Sequence, residues 1–329
     1  MHGLSTIKDV AKRAGVSIAT VSYVMNGTKN ISRQTRDRVI AAIRELNYAP
    51  NQAAKSFKTG KKNIIAFIVP DISNNYFANI IESLEDEIGR SAYRLILANT
   101  KESKENEISQ IKYLTSGTVD GIVLASTVQD YSEIKEYLPE NFPVVLIDRR
   151  LENSPLDIVS VSDASAIAEG IQQLICNGHR QIGYIGDVPR LSTAKERLQA
   201  YKDTLRMHGI TVDDGLIKTT SSLTHEAYHL TGELLDNQCT ALVIGNNLMT
   251  VDACCYVANH AQQYGDTEIL GYQHKELSYL FQSDIGLIIQ NETDMGSAAG
   301  RQILSRIQHP DQPQKEIIVC NKLKIACPY

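Results

Sequence analysis

Residues 7–27 read IKDVAKRAGVSIATVSYVMNG. Ile7, Val10 and Ala11 fall at i, i+3 and i+4, the spacing of one helix face. That face predicts a first helix from Thr6 to Ala14, broken by Gly15. Ser17 then offers a side-chain oxygen to the free N–H groups opening a second helix, which runs to about Met25 and stops at Asn26-Gly27. Two short helices about a tight Gly15-Val16 turn have helix-turn-helix spacing, with the early residues of the second helix facing base edges in a major groove. A third helix is expected from Ser32 to Leu46, with Val39, Ile43 and Leu46 as its buried stripe.

Charge supports a polyanion partner for this end of the chain. Residues 1–62 hold 12 Lys and Arg against Asp9, Asp37 and Glu45, a net +9, whereas the remaining residues carry a net −14. A small domain ordinarily mixes its signs, so a basic head on an acidic body localises the attraction to the head. After Tyr48-Ala49-Pro50 the segment NQAAKSFKTGKK favours helix but is too short to be stable alone in water. Its end, Gly60-Lys61-Lys62, reads as a linker.

From residue 63 continuous apolar runs recur, each followed by an amphipathic helix. They are NIIAFIVPD (63–71), RLILANT (94–100), DGIVLAS (120–126), VVLIDR (144–149), IVSVS (158–162), QIGYIGD (181–187), ALVIGN (241–246) and EILGY (268–272). Such runs suit strands buried on both faces of parallel sheets, with helices as crossovers. They would overfill one compact sheet, so the expected body is two doubly wound α/β lobes with a ligand at the carboxyl ends of the strands. A chain of 329 residues accommodates two or three such domains.

With the following SRQTRDRVIAAIRELNYAPNQAAKSF, the opening stretch resembles the head of the LacI/GalR family of transcription regulators, nearly gap-free over residues 6–58. The resemblance implies a repressor of a carbohydrate-related operon. It would bind as a homodimer to a palindromic operator in double-stranded DNA, because a two-fold protein mirrors a two-fold site. Domains are expected at 1–50 (all-α helix-turn-helix head), 51–62 (hinge helix and linker) and 63–329 (effector-binding and dimerisation body). Lobe one would span about 63–161 and 290–318, and lobe two 162–289 and 319–329. The implied base readers are Ile18, Ala19 and Tyr23, while Ser17, Thr20, Ser22 and Asn26 would mainly hold phosphates. The alternative for Thr20 and Ser22 is a hydroxyl bonded to its own helix backbone. Most relatives carry Arg where Tyr23 stands, so one base step is expected to be read differently. Phe57, flanked by Lys55 and Lys58, occupies the family's minor-groove wedge position.

The body resembles the same family's effector domain, itself similar to periplasmic sugar-binding proteins. The resemblance implies a cleft with Asn75, Tyr76 and Phe77 after the first strand, Asp148 and Arg149 after a later one, and Arg197 from RLSTAKERLQAY. Asn246, Gln273 and Gln290 complete the expected set, at motifs that depart from the family pattern: Asn246-Asn247, Gly271-Tyr272-Gln273-His274 and Leu287-Ile288-Ile289-Gln290. The first two departures exchange a carboxylate for an amide, a weaker acceptor that also donates. With Arg197 retained, an acidic or phosphorylated sugar is the expected small-molecule effector. An unusual neutral ligand and no ligand at all are the alternatives.

Other signals point to no chemistry. His225-Glu226-Ala227-Tyr228-His229 matches H-E-x-x-H, but no convincing third zinc ligand accompanies it, so no metal and no enzyme is expected. Phosphate-binding glycine loops and nucleophile elbows are absent from the sequence, and no cofactor is expected. The six cysteines form no C-x-x-C pair and are expected to be mostly buried, reduced thiols, with Cys254-Cys255 inside a helix. The N-terminus lacks an apolar stretch of signal-peptide length, which predicts a cytoplasmic protein with no membrane partner. The basic head also argues against a transport receptor.

Overall fold

The computed structural model describes residues 5–27, 29–49, 60–273 and 285–324. The chain divides into two compact units, one through Lys62 and one from Asn63.

The first unit holds α1 (Ile7–Ala14), α2 (Ile18–Asn26) and α3 (Arg33–Glu45). Thr6 and Asp9 form a reciprocal capping box at α1, and Gly15 ends it at φ 64°, a left-handed conformation that costs a glycine little. Ser17 caps α2, and Gly27 closes it at φ 66°. Val10, Val21 and Val39, one from each helix, are wholly buried and centre the small core. On α3 the stripe shifts by a fraction of a turn: Val39 and Ala42 are buried, whereas Ile43 and Leu46 only flank the core.

The second unit contains two six-stranded sheets. Lobe one is built on β1 (Ile64–Val69), β2 (Arg94–Asn99), β3 (Gly121–Leu124), β4 (Val144–Asp148), β5 (Asp157–Ser162) and β11 (Glu316–Cys320), in the order β11-β5-β4-β3-β1-β2. All of its pairings are parallel. Strand β1 shows why its apolar run does not alternate with polar residues. Ile65, Phe67 and Val69 enter the core beneath α4 (Asn75–Gly89) and α10 (Glu292–Gln308), while Ala66 and Ile68 face α5 (Lys104–Thr115) on the other side.

Lobe two is built on β6 (Ile182–Gly186), β7 (Ile217–Thr219), β8 (Ala241–Ile244), β9 (Glu268–Tyr272), β10 (Ile285–Ile289) and β12 (Lys322–Lys324), ordered β12-β10-β9-β8-β6-β7. Among the described residues only the β10–β12 pair is antiparallel. Helices α6 (Ala164–Cys176) and α7 (Ser192–Met207) cover one face. Helices α8 (Ala227–Asp236) and α9 (Asn247–Asn259) cover the other.

Every expected apolar run forms a strand, and β7, β10, β11 and β12 are additions to that set. β7 and β12 are three residues each, too short for any periodicity to show. Strand β11 keeps the chain in the first sheet to Cys320, two residues beyond the expected boundary, and the return to lobe two comes at Asn321. Cys254 and Cys255 do lie inside a helix, α9. The expectation of mostly buried thiols is corrected: Cys239 and Cys254 are buried, but Cys176, Cys255 and Cys320 are exposed. Cys320 is exposed because on β11 it shares the outward face with Glu316 and Ile318, opposite the buried Val319. Among the described residues no helix is long and apolar enough to cross a membrane.

Candidate functional site

Along α2 and its cap, Ser17, Ile18, Ala19 and Asn26 are exposed, and Thr20, Ser22 and Tyr23 are half-buried. Ile18 is 43% exposed, so this apolar side chain stands in water and adds nothing to the core. The Thr20 N–H donates to Ser17 Oγ at 3.1 Å, and the two hydroxyls lie 2.9 Å apart. Asn26 Nδ2 donates to the Ser22 carbonyl at 2.9 Å and to Ser22 Oγ at 3.2 Å. Thr20 and Ser22 thus engage neighbouring side chains and leave the backbone ladder of α2 undisturbed. The Lys29 ammonium sits 4.6 Å from the centroid of the Tyr23 ring, a cation–π contact that steadies the phenol. Lys55, Phe57 and His274 lie outside the described residues.

The second site is the cleft between the lobes, at the carboxyl ends of both sheets. Tyr76, Phe77, Asp148, Arg149, Arg197, Asn246 and Gln290 line it, as expected. Asn75 and Gln273 do not. Asn75 opens α4, and it is its neighbour Asn74, the cap, that faces the cleft. Gln273 serves the sheet, its N–H donating to the Ile288 carbonyl at 3.0 Å. Asp71, Glu102 and Asp187 also line the cleft, from loops after β1, β2 and β6. The sequence carried a usable signal for two of them, since Asp71 and Asp187 each directly follow a buried apolar run, the carboxyl-end position.

These carboxylates weigh against a cleft friendly to anions. Asp71, Glu102, Asp148 and Asp187 face Arg149 and Arg197, and both arginines are already engaged. Arg149 holds Glu102 bidentately at 2.6 and 2.9 Å. Arg197 Nε donates to Asp163 at 2.6 Å and Nη1 to the Gly245 carbonyl at 2.7 Å, with the guanidinium 4.2 Å from the Tyr272 ring centroid. An anion here would meet excess negative charge and paired cations. The loss of carboxylates at two motif positions is offset by carboxylates from other loops.

Asp148, like Glu102 at φ 57°, is a strained residue of the cleft. It ends β4 at φ 68° and is almost fully buried. Burial raises its pKa, although Arg149, Arg197 and the Tyr76 hydroxyl, donating at 2.7 Å, pull the other way. A non-glycine residue held at positive φ persists only where its surroundings over-determine it, and such residues cluster at ligand sites. Asn246 keeps its carbonyl on the N–H of Met249 at 2.8 Å, capping α9, and donates to Asp187 at 3.2 Å.

The lobes meet across this cleft. Asn247 Nδ2 donates to Asn74 Oδ1 at 2.8 Å, the Arg150 N–H donates to Ser192 Oγ at 2.9 Å, and Lys195 pairs with Glu152 at 3.0 Å. The remaining cavity is about 60 Å³. A cavity of about 150 Å³ holds benzene, so entry of a sugar-sized molecule requires these rim contacts to part.

The H-E-x-x-H residues do not share a helix face. His225 sits at φ 55°, before α8 begins, and contacts Asp252 at 3.0 Å; Glu226 accepts from the Thr220 hydroxyl. Among the described residues no group of three His, Cys, Asp or Glu is arranged to hold a metal.

A helix-turn-helix unit in one chain with a cleft between two parallel-sheet lobes defines a DNA-binding regulator with an effector-type body. Residues 6–51 match the family described as bacterial regulatory proteins, lacI family, and residues 62–327 match the periplasmic binding proteins and sugar binding domain of LacI family. The chain belongs to the LacI family of DNA-binding transcription regulators and is not an enzyme. It is 33% identical over 322 residues to the ribose operon repressor of Bacillus subtilis (strain 168), covering 96% of this chain and 95% of that one. It is 28% identical over 321 residues to catabolite control protein A of Priestia megaterium, covering 95% of each. In fold it is similar to the Lac repressor dimer bound to operator and the anti-inducer ONPF, with a TM-score of 0.84, 20% identity and 97% of each chain covered.

Proposed function

We propose that this protein represses a carbohydrate operon as a cytoplasmic homodimer on a palindromic operator, under control of a neutral, polyhydroxylated effector of pentose or hexose size. The observation that carries the effector class is the composition of the cleft. Asp71, Asp148, Asp187, Asn246 and Gln290 offer acceptors and amides to hydroxyl groups, and the arginines are neutralised by Glu102 and Asp163. Charged acceptors bind hydroxyl donors well, and paired arginines give an anion no net attraction. The likeness to a ribose operon repressor supports the same reading.

On DNA, Ile18, Ala19 and Tyr23 read bases and Ser17, Thr20, Ser22 and Asn26 hold phosphates. Lys55 and Phe57 engage the minor groove at the operator centre. Ala19 suits a thymine methyl, and Tyr23 replaces bidentate guanine recognition by a single phenol contact. The test is footprinting on genomic DNA, followed by titration of the bound complex with neutral sugars, sugar acids and sugar phosphates. A neutral sugar that shifts operator affinity supports the reading. A response confined to the charged sugars overturns the effector class, and failure to footprint any DNA overturns the whole.

A further inference from the structure

Among the described residues the chain passes between the lobes at three places. These are Asp163 between β5 and α6, Gln290-Asn291 between β10 and α10, and Asn321 between β11 and β12. Crossing strands are where a two-lobed body bends, so contacts among them set how easily it bends. Asn321 touches the other two. Its Nδ2 donates to Asp163 Oδ1, its Oδ1 accepts the Asn291 N–H at 3.1 Å, and its own N–H reaches the Ser162 carbonyl at 3.3 Å. Asn321 and Asp163 are 5% and 6% exposed, so water does not compete for these bonds.

The second carboxylate oxygen of Asp163 faces the opposite way, toward the cleft. It accepts Arg197 Nε at 2.6 Å and the Tyr272 hydroxyl at 2.8 Å. Arg197 lines the cleft. One carboxylate therefore joins the cleft arginine to an amide that ties the crossings together.

We propose that Asn321 and Asp163 are positioning residues. They clasp the crossings, favour the closed arrangement of the lobes, and link the state of Arg197 to the bend. The link to a ligand rests on the functional reading above; the clasp does not. The amide at 321 divides the two tasks between two atoms, Nδ2 donating to the carboxylate and Oδ1 accepting the backbone N–H. Hydrogen bonds in this cluster fix a geometry that generic apolar packing would leave free.

Zero-length carbodiimide cross-linking of the full chain, read by mass spectrometry without any sugar, tests the clasp. The Glu152–Lys195 pair, 3.0 Å apart, spans the lobes, and the Lys104–Glu133 pair, 2.7 Å apart, lies wholly within lobe one. The ratio of the two cross-links reports closure with folding divided out. Asn321→Ala is expected to lower that ratio at least fivefold. Asn321→Asp, which keeps the volume but sets two carboxylates face to face, should do the same. An unchanged ratio in both variants overturns the proposal, as does equal loss of both cross-links, which signals general unfolding. A wild-type protein whose DNA binding ignores every sugar speaks against the functional reading alone, because the cross-link ratio is measured without sugar and without DNA.

Discussion

The two candidate sites are built by opposite means. The candidate DNA face draws on residues between Ser17 and Asn26, on one nine-residue helix and its cap, whose Val21, Val24 and Met25 pack on the core. The cleft draws on loops from Asp71 to Gln290, and its key groups, Asp148, Arg149 and Arg197, are buried. A helix face is preorganised by local hydrogen bonds and a few inward side chains. A cleft of buried charges holds only if every partner, supplied from elsewhere in the chain, is in position. Damage to the head should therefore be graded and confined to DNA, while damage to the cleft should propagate through the body.

The sharpest test of that contrast is Arg197→Ala. It strands Asp163 with two neutral donors, and removing one partner of a buried pair costs about 3–5 kcal/mol. Urea unfolding should show the body destabilised by that order, while the base preference of the operator stays as in wild type. A changed base preference would break the comparison.

Next in size is Tyr23→Arg. A guanidinium at this position regains bidentate contact with guanine, worth about 1–3 kcal/mol of discrimination at one base step per half-site. Binding to randomised operators should show a new guanine preference there and no change in the unfolding of the body. No new preference would mean that Tyr23 is not a base reader.

Glu107 gives a pH signature confined to the body. It is buried and accepts from the Ser126 and Thr127 hydroxyls and the Thr127 N–H. Burial raises its pKa above 4.5 despite those bonds. The folded state therefore retains a proton that the unfolded chain releases. The stability from this group is complete below the unfolded pKa and declines as pH rises through the folded one, with a slope of at most about 1.4 kcal/mol per pH unit. In Glu107→Gln that component of the slope should vanish from denaturation curves taken between acid and neutral pH. An identical pH profile would show the carboxyl to be unperturbed.

The smallest expected effect is at the head. Ser17→Ala removes the α2 cap and should cost about 1 kcal/mol of head stability, visible in thermal melts, with a matching loss of operator affinity. An unchanged melt would mean that the cap is replaced by solvent.

The same contrast explains what the sequence could and could not reveal. The expected helix α2 forms with its expected cap and stop, because local periodicity, a serine cap and a glycine stop specify a short helix without help. In the cleft, Asn75 lies one position from the residue that faces inward, Gln273 is outside the lining with its backbone N–H bonded to Ile288, and Glu102 carries no motif that would have pointed to it. Loop residues have no periodicity, so motif offsets alone cannot say which neighbour faces inward. The expectation of an anionic effector rested on the same kind of offset. Two amides are visible in the motifs, but the carboxylates that replace their charge come from other loops.

By itself the sequence determined the helical head and the alternation of buried strands with helices that makes two parallel-sheet lobes. Each of these is a local pattern of apolar spacing, caps and charge. Only the tertiary structure decided the cleft's electrostatics, the pairing of both arginines and the clasp of Asn321 on Asp163. The clasp joins residues 158 positions apart in the chain, a distance that burial and topology set and no local pattern encodes.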